Sequence, residues 1–378
     1  MSDQMQQQLA ATPPMGWNSW NQVRCEGLTE RVVLEAATAL VDRGLAAAGY
    51  RYVVVDDCWQ GGRDESGRLV SDPVRFPSGI PDLAARVHEL GLRFGIYAVP
   101  GAQTCANYYD DYPDLDLGSY GRERLDAETF AGWGVDYLKY DWCRAEQTTP
   151  YTRPEAFALM HDELARLRRP IVYAISEYGE GEPWRWAPPI ANLWRTTADI
   201  APEWPSIVSI IEQQAALAEF ARPGAWNDPD MLQFGNGALT LAQNRSHFAM
   251  WCMLAAPLFL GTNVASLAEE LIEVLTNADL VAIDQDPLGR QARRVATGDA
   301  GQVWVRELAG GDFAVALFNQ TAESTHISAS FDLLGVPVHA TVVARDVWAG
   351  SLQQLHEASV SVEVAAFDTR VFRLSLGG

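Results

Sequence analysis

Lysine is nearly missing from this chain: of 28 strongly basic side chains in 378 residues, Lys139 is the one that is not arginine. Positive charge is scarce altogether, since 49 Asp and Glu leave a net charge of −21 and an isoelectric point near 4.6. That balance excludes nucleic acid as a partner, because phosphates must be neutralised by cations. No apolar run reaches the roughly 18 residues that suggest a membrane span, so no membrane partner is expected. Five cysteines, Cys25, Cys58, Cys105, Cys143 and Cys252, are too scattered for a zinc site built from paired CxxC units. No glycine-rich GxGxxG follows the first apolar run, which disfavours a dinucleotide-binding open sheet. The amino-terminal stretch MSDQMQQQLAATPP has neither a basic start nor an apolar core, so no secretory signal is read and a cytoplasmic location is expected. A hydrophobic content of 48% excludes a disordered chain.

What is present is an alternation. Apolar runs rich in β-branched and aromatic residues, predicted as strands over 15–20, 52–57, 93–98, 137–141, 171–176, 193–197, 225–228 and 256–260, end in polar or acidic residues. Amphipathic segments predicted as helices lie between them, over 30–48, 79–90, 127–133, 154–167, 206–220, 239–254 and 267–275. Strand–helix alternation implies a parallel sheet. Eight such units suit an α/β (β/α)8 TIM barrel over residues 1–292, with a doubly wound open sheet as the structural alternative. From residue 293 to 378 the pattern becomes short strands separated by turns, predicted over 302–308, 313–319, 326–331, 340–348, 360–364 and 371–376. These form a small antiparallel β-sandwich domain.

In such a barrel the chemistry sits where the strands end. Those ends carry Trp17, Asp56, Asp57, Tyr97, Lys139, Asp141, Glu177, Arg195, Asp199, Asp228 and Asp230. Lys139 and Asp141 are two residues apart on one strand and point to the same face. An aspartate after a strand is also a common turn former or helix cap, but a ring of carboxylates with aromatics and two cations suits glycoside hydrolysis. There one carboxylate attacks the anomeric carbon and a second protonates the leaving oxygen. A barrel enzyme using a divalent metal is the chemical rival, because strand-end carboxylates also ligate magnesium. No metal triad is evident, and neither metal nor cofactor is expected.

Several segments carry a resemblance. Thr12-Pro13-Pro14-Met15-Gly16-Trp17-Asn18-Ser19-Trp20, Asp56-Asp57-Cys58-Trp59, Phe94-Gly95-Ile96-Tyr97, Lys139-Tyr140-Asp141, Trp194-Arg195-Thr196-Thr197-Ala198-Asp199-Ile200, Trp226-Asn227-Asp228-Pro229-Asp230-Met231-Leu232 and Asp284-Gln285-Asp286-Pro287-Leu288-Gly289 resemble, in order, glycoside hydrolase family 27. These are the melibiase-type α-galactosidases. The resemblance implies a retaining exo-glycosidase that hydrolyses terminal α-D-galactosyl groups of galactose-containing saccharides. It implies Asp141 as nucleophile and Asp199 as acid/base. Lys139 would bind sugar hydroxyls and keep Asp141 ionised, and Asp199 would need a raised pKa. Asp56 and Asp57 would hold the 6- and 4-hydroxyls and Trp17 would be a stacking platform. Tyr97, Arg195 and Asp230 would line the pocket, with Trp226 and Met231 as walls, and Glu177 would stand where an acetamido group would fit poorly.

By the same resemblance Cys25 would pair with Cys58 and Cys105 with Cys143, the arrangement of secreted members, so that secretion is the alternative location. Departures occur at Tyr97-Ala98-Val99-Pro100-Gly101, in the long loop 108–121, and at Ser176-Glu177-Tyr178, where the family usually reads Cys-Glu-Trp. A β-L-arabinopyranosidase or an α-N-acetylgalactosaminidase on the same scaffold is the nearest alternative, and a non-catalytic sugar-binding protein the next. Retention of Asp56 speaks against the arabinopyranosidase.

Overall fold

The computed structural model describes residues 9–376 apart from 114, 299, 300, 338, 356 and 357. Residues 1–8, part of the segment read for a signal, lie outside the described residues, as does position 114 of the long loop. Two compact units emerge. Among the described residues, one comprises 9–10, Pro14–Asp199 and Leu258–Leu267, and the other Ala11–Pro13, Ile200–Pro257 and the stretch from Ala268 onward.

The first unit is built on parallel strands: β1 (Met15–Asn18), β2 (Tyr52–Val55), β3 (Arg93–Ala98), β4 (Tyr137–Asp141), β5 (Val172–Ser176), β6 (Leu193–Arg195) and, after a stretch assigned to the second unit, β8 (Leu258–Leu260). The sequences YVVV in β2 and VYAIS in β5 are buried at every position. Strands covered on both faces read as continuous apolar runs. Neighbours are consecutive in sequence, and the last strand pairs with the first: Met15 lies opposite Leu258, Gly16 opposite Tyr52, Val53 opposite Phe94, Tyr97 opposite Lys139, Asp141 opposite Ser176 and Ile175 opposite Trp194. A doubly wound sheet would reverse its order at a switch point. The return of β8 onto β1 is the winding of a (β/α)8 barrel. β7 (Trp226–Asp228), the remaining strand of this eight-stranded sheet, is counted with the second unit.

Helices follow from local chemistry. Glu30–Asp42 starts at Thr29, whose side chain accepts from the Val32 amide, and buries Val33, Ala36, Ala37 and Leu40 on one stripe. The helix predicted over 30–48 is interrupted because Gly44 adopts φ +77°, and a short turn, Leu45–Ala48, resumes after it. Arg153–Arg166 opens with a reciprocal capping box between Thr152 and Glu155 and a proline in its first turn, the preferred chemistry for a helix start. Sequence periodicity missed Trp20–Gly27, Cys105–Tyr109 and the hairpin Gln60–Arg63 with Leu69–Ser71. Segments of three to eight residues are too short to display an apolar period.

In the second unit, helices Trp204–Gln214, Leu241–Met253, Glu269–Leu275 and Ala278–Asp284 precede a region made mostly of strands, with one short helix, Phe331–Leu334. Its strands are β9 (Arg293–Gly298), β10 (Gly301–Glu307), β11 (Phe313–Phe318), β12 (Thr325–Ser330), β13 (Val342–Asp346), β14 (Leu352–Leu355), β15 (Ser359–Val364) and β16 (Thr369–Leu376). A six-stranded antiparallel sheet, in the order β9-β10-β11-β16-β13-β14, and a β12–β15 ribbon enclose a core that includes Val303, Val315, Leu317, Ile327, Val360 and Leu374. β9 and β14 were not read from sequence. Both are edge strands with exposed or half-exposed residues, so neither shows clear alternation. Trp204 bridges within this unit, its indole donating to the Gln320 carbonyl at 3.1 Å while its ring meets Phe318 and Phe367 edge-on.

The β1–β2 contact supplies a test. A Cβ on Gly16 would stand 2.2 Å from the Tyr52 carbonyl oxygen, so the strands would have to part. Gly16→Ala is expected to destabilise the protein by roughly 3 kcal/mol, measured by urea unfolding, whereas alanine at the solvent-open Gly132, where a Cβ meets nothing within 4 Å, is expected to change stability by less than about 0.5 kcal/mol.

Candidate active site

The strand ends of the first unit converge on one lysine. Lys139 Nζ donates to Asp56 Oδ2 at 2.8 Å, and its side chain is 16% exposed. The same Asp56 oxygen accepts Asn18 Nδ2 at 2.6 Å, while the Asp56 amide donates to Ser19 Oγ at 3.0 Å. The end of β1 therefore fixes the carboxylate just after β2, which in turn fixes the cation on β4. The Tyr97 ring centroid lies 5.4 Å from Nζ, within range of a cation–π contact. Burial works to lower the Lys139 pKa, but the charges of Asp56 and Asp141 outweigh it and hold the ammonium above its ordinary value.

Asp141, two residues on, is 5% exposed. Tyr178 donates its hydroxyl to Oδ1 at 2.6 Å, and Cys105 Sγ lies 3.8 Å from Oδ2. Burial raises its pKa to about 6, opposed by Lys139 and the Tyr178 hydrogen bond and reinforced by Asp199 and Asp56. Asp57 is 1% exposed, and its two oxygens accept the amides of Cys58 and Ala106, each at 2.8 Å. Burial again dominates, with Asp56 adding to it against the backbone hydrogen bonds, and the pKa rises to about 7. Cys25–Cys58 and Cys105–Cys143 are both disulfides, the pairs that the resemblance implied, and Cys252 is free and buried. Tyr97, 1% exposed, lies with its hydroxyl 3.2 Å from Cys143 Sγ.

Asp199 differs from the other acids. Its side chain is 73% exposed, and Arg195 Nη2 reaches its Oδ1 at 3.0 Å while also donating to the Thr197 carbonyl at 3.1 Å. Partial desolvation pushes its pKa up, but Arg195 and Lys139 win and the net direction is down. The direction at Asp199 is opposite to the raised value that the resemblance implied for the start of the cycle, while Lys139 favours the ionised form of Asp141, as expected. Asp199 is exposed and paired with Arg195, while Asp141 is buried.

Three further candidates have partners of their own. Glu177 is fully buried and tied to its own loop, with Oε2 accepting the Gly181 amide at 2.7 Å and meeting Arg153 Nε at 3.2 Å, and burial raises its pKa to about 7. Trp17 donates to the Thr262 carbonyl at 2.9 Å and to Gln22 at 3.0 Å. With 0% exposure it offers no free face, which corrects its assignment as an open stacking platform. Asp230 belongs to the second unit, where its carboxylate accepts the amides of Ile200 at 2.9 Å and Met231 at 2.8 Å. Asp228 accepts the Asp230 amide at 2.9 Å in the same turn. Trp226 and Met231 are buried in that unit too.

Sequence reasoning noted Tyr178 as a departure without giving it a role, and it passed over Asn18 inside a quoted motif. Backbone strain marks the same places: Cys58, Cys143 and Tyr178, each just past a strand end, have φ of +73°, +37° and +63°. Such positions cost about 1–3 kcal/mol each and gather at functional sites. The metal-spaced cluster found among the described residues is Cys105, Asp141 and Cys143. Joined as a disulfide, its two sulfurs are not thiolate ligands. What remains is a buried carboxylate beside a cation, with a second, solvent-facing carboxylate nearby, a set suited to attack and proton transfer at an acetal carbon.

Comparison with known proteins decides the family. Residues 12–286 match the family described as alpha galactosidase A, and residues 298–374 match the alpha galactosidase C-terminal beta sandwich domain. An α-galactosidase of Coffea arabica is 42% identical over 97% of this chain and 94% of its own length. This chain belongs to the melibiase-type α-galactosidases, glycoside hydrolase family 27. Among solved structures, α-galactosidase I from Mortierella vinacea superposes with a TM-score of 0.90 at 32% identity, covering 97% of both chains. An α-galactosidase from Saccharomyces cerevisiae with raffinose gives 0.88 at 29%, covering 98% of this chain and 99% of that one. Membership makes the chain a glycoside hydrolase with a (β/α)8 barrel and a carboxy-terminal β-sandwich.

The buried acids of this family member give stability a pH dependence of defined sign. Asp57 rises from 3.8 to about 7 on folding, so its neutral form is favoured in the fold. That contribution is fully present below the unfolded value and is lost as pH rises through about 7. The free energy of urea unfolding is expected to fall less between pH 5 and pH 8 in Asp57→Asn than in wild type; equal falls would contradict this account of Asp57.

Proposed function

We propose that this α-galactosidase family member removes terminal α-D-galactosyl groups by double displacement, with Asp141 as nucleophile and Asp199 as acid/base. The observation that carries the assignment is the buried Asp141 carboxylate two residues from Lys139, itself bonded to Asp56. In the first step an Asp141 oxygen bonds to the anomeric carbon as the bond to the leaving oxygen breaks, and that oxygen takes the proton of Asp199. In the second, water attacks the same carbon, gives its proton to Asp199 and returns the electron pair to Asp141.

The free-state pKa order constrains the cycle. Asp199 enters ionised and must gain a proton as the sugar arrives. Covering its exposed carboxyl removes water and favours the neutral acid. Asp141, raised to about 6, is ionised at neutral pH and supplies the acidic limb of kcat/KM. Asp56, Asp57 and Lys139 bind the hydroxyls of galactose, and Asp56 retains the contact that an arabinopyranoside, lacking the hydroxymethyl arm, would leave unmade. A site built to hydrogen-bond a hydroxyl discriminates strongly against a sugar without it. Tyr97 and Arg195 complete the polar wall, Trp17 backs it from behind, and Glu177 acts through the loop it anchors.

Hydrolysis of p-nitrophenyl α-D-galactopyranoside, compared with the β-L-arabinopyranoside and the α-N-acetylgalactosaminide in the presence of EDTA, tests this reading. The galactoside is expected to turn over fastest and to ignore the chelator. Asp141→Asn is expected to lose at least about 10⁴-fold in kcat and Asp199→Asn about 10²- to 10⁴-fold. Preference for the arabinopyranoside would overturn the role of Asp56, chelator sensitivity would favour the metal rival, and full activity of Asp141→Asn would remove the nucleophile assignment.

A further inference from the structure

Tyr178 has no part in the chemistry assigned above, yet its hydroxyl is the hydrogen-bond donor to Asp141, at 2.6 Å from Oδ1. Its place is enforced by backbone. Tyr178 has φ +63°, and it is followed by Gly179 at φ +77°, where a Cβ would stand 2.2 Å from the Thr196 carbonyl oxygen. The Glu177 side chain closes the same loop by accepting the Gly181 amide. The loop after β5 is thus pinned against the strand end that carries Arg195, with the phenol aimed at β4. Other polar neighbours of the hydroxyl are Cys105 Sγ at 3.4 Å and Cys143 Sγ at 3.6 Å, the two halves of one disulfide and weak acceptors. The proton therefore goes to the carboxylate. Burial first, and then the charge of Asp141, push the phenol well above its ordinary pKa, so it stays a donor throughout the working pH range.

We infer that Tyr178 is a positioning residue of the reaction: it reserves Oδ1 of Asp141 as the oxygen that does not attack and stabilises the carboxylate as it leaves the sugar in the second displacement. The inference rests on Asp141 being the nucleophile. When Oδ2 bonds to the anomeric carbon, Oδ1 becomes an ester carbonyl oxygen and a weaker acceptor than before. As water then attacks, with its proton passing to Asp199, the Oδ2–carbon bond breaks and its electron pair returns to the carboxylate. Charge reappears on Oδ1 in front of a donor already in place, which is stabilisation specific to the transition state. The hydrogen bond thus favours the second displacement more than the first, where it holds the ground-state carboxylate back. Other charged or titratable groups acting on Asp141 include Lys139 on its own strand, Asp56 after β2, Asp199 after β6 and Tyr97 on β3. Tyr97, from β3, meets the Cys143 side of the disulfide.

The test is Tyr178→Phe assayed with an activated aryl α-galactoside. Expected are a kcat lower by roughly tenfold or more, a KM that falls in parallel because the covalent stage accumulates, and a pre-steady-state burst of phenol. The acidic limb of kcat/KM, reporting the free enzyme, is expected to move up by roughly one unit. Burst amplitude counts folded sites, so a loss of folded protein does not mimic the result. Tyr178 replaced by 3,5-difluorotyrosine, a more acidic donor, is expected to move the limb down. Unchanged kcat, KM and acidic limb would overturn the inference, as would a raised KM at constant kcat, the mark of a simple pocket wall. Peptide mapping after trapping wild type with a fluorinated galactosyl fluoride separates the two levels. A label on Asp141 with an unmoved limb in Tyr178→Phe sinks this inference alone, and a label on another residue sinks the nucleophile assignment with it.

Discussion

One largely buried ion pair, Lys139 with Asp56, organises the strand ends on which everything else rests. Taking two charges out of water is expensive, and such a pair is weak evidence for stability. Its value is geometric. Asp56 is held by Asn18 and Ser19 from the end of β1, so one aspartate ties the ends of β1 and β2 to the ammonium on β4. Every other strongly basic side chain is an arginine, a planar fork that suits bidentate partners. A compact point charge with rotatable donors can serve Asp56 and still face Asp141.

Burial governs two of the carboxyls around it. Asp57 and Asp141 are both pushed up, to about 7 and about 6, because burial outweighs the hydrogen bonds to each and, at Asp141, the Lys139 ammonium. Asp199, exposed and paired with Arg195, is pushed down. Two acids whose environments drive them apart are the usual mark of divided acid and base roles, and Asp141 and Asp199 are such a pair.

Much of this was legible in the sequence because barrel strands are short, apolar and punctuated by the residues that matter. All eight parallel strands were placed within their observed spans or a few residues beyond them, and Lys139 with Asp141 was read as one face of one strand. The winding was legible only as one of two options, and the pairing of Leu258 with Met15 decided it. What stayed hidden was three-dimensional. No periodicity foretells that Gly44 breaks a helix, that an exposed edge such as β14 pairs at all, or that Trp17 is sealed by the Thr262 carbonyl. The partner of Asp141 was hidden for the same reason, since Tyr178 follows a different strand 37 positions away.

The most direct test of the double displacement is the anomer first released. Hydrolysis of an aryl α-D-galactopyranoside followed by proton NMR from the first seconds, before mutarotation, is expected to show α-galactose appearing first and β-galactose growing in only as the free sugar equilibrates. Initial release of β-galactose would mean a single displacement by water, and Asp141 could not then be the group that bonds to the sugar.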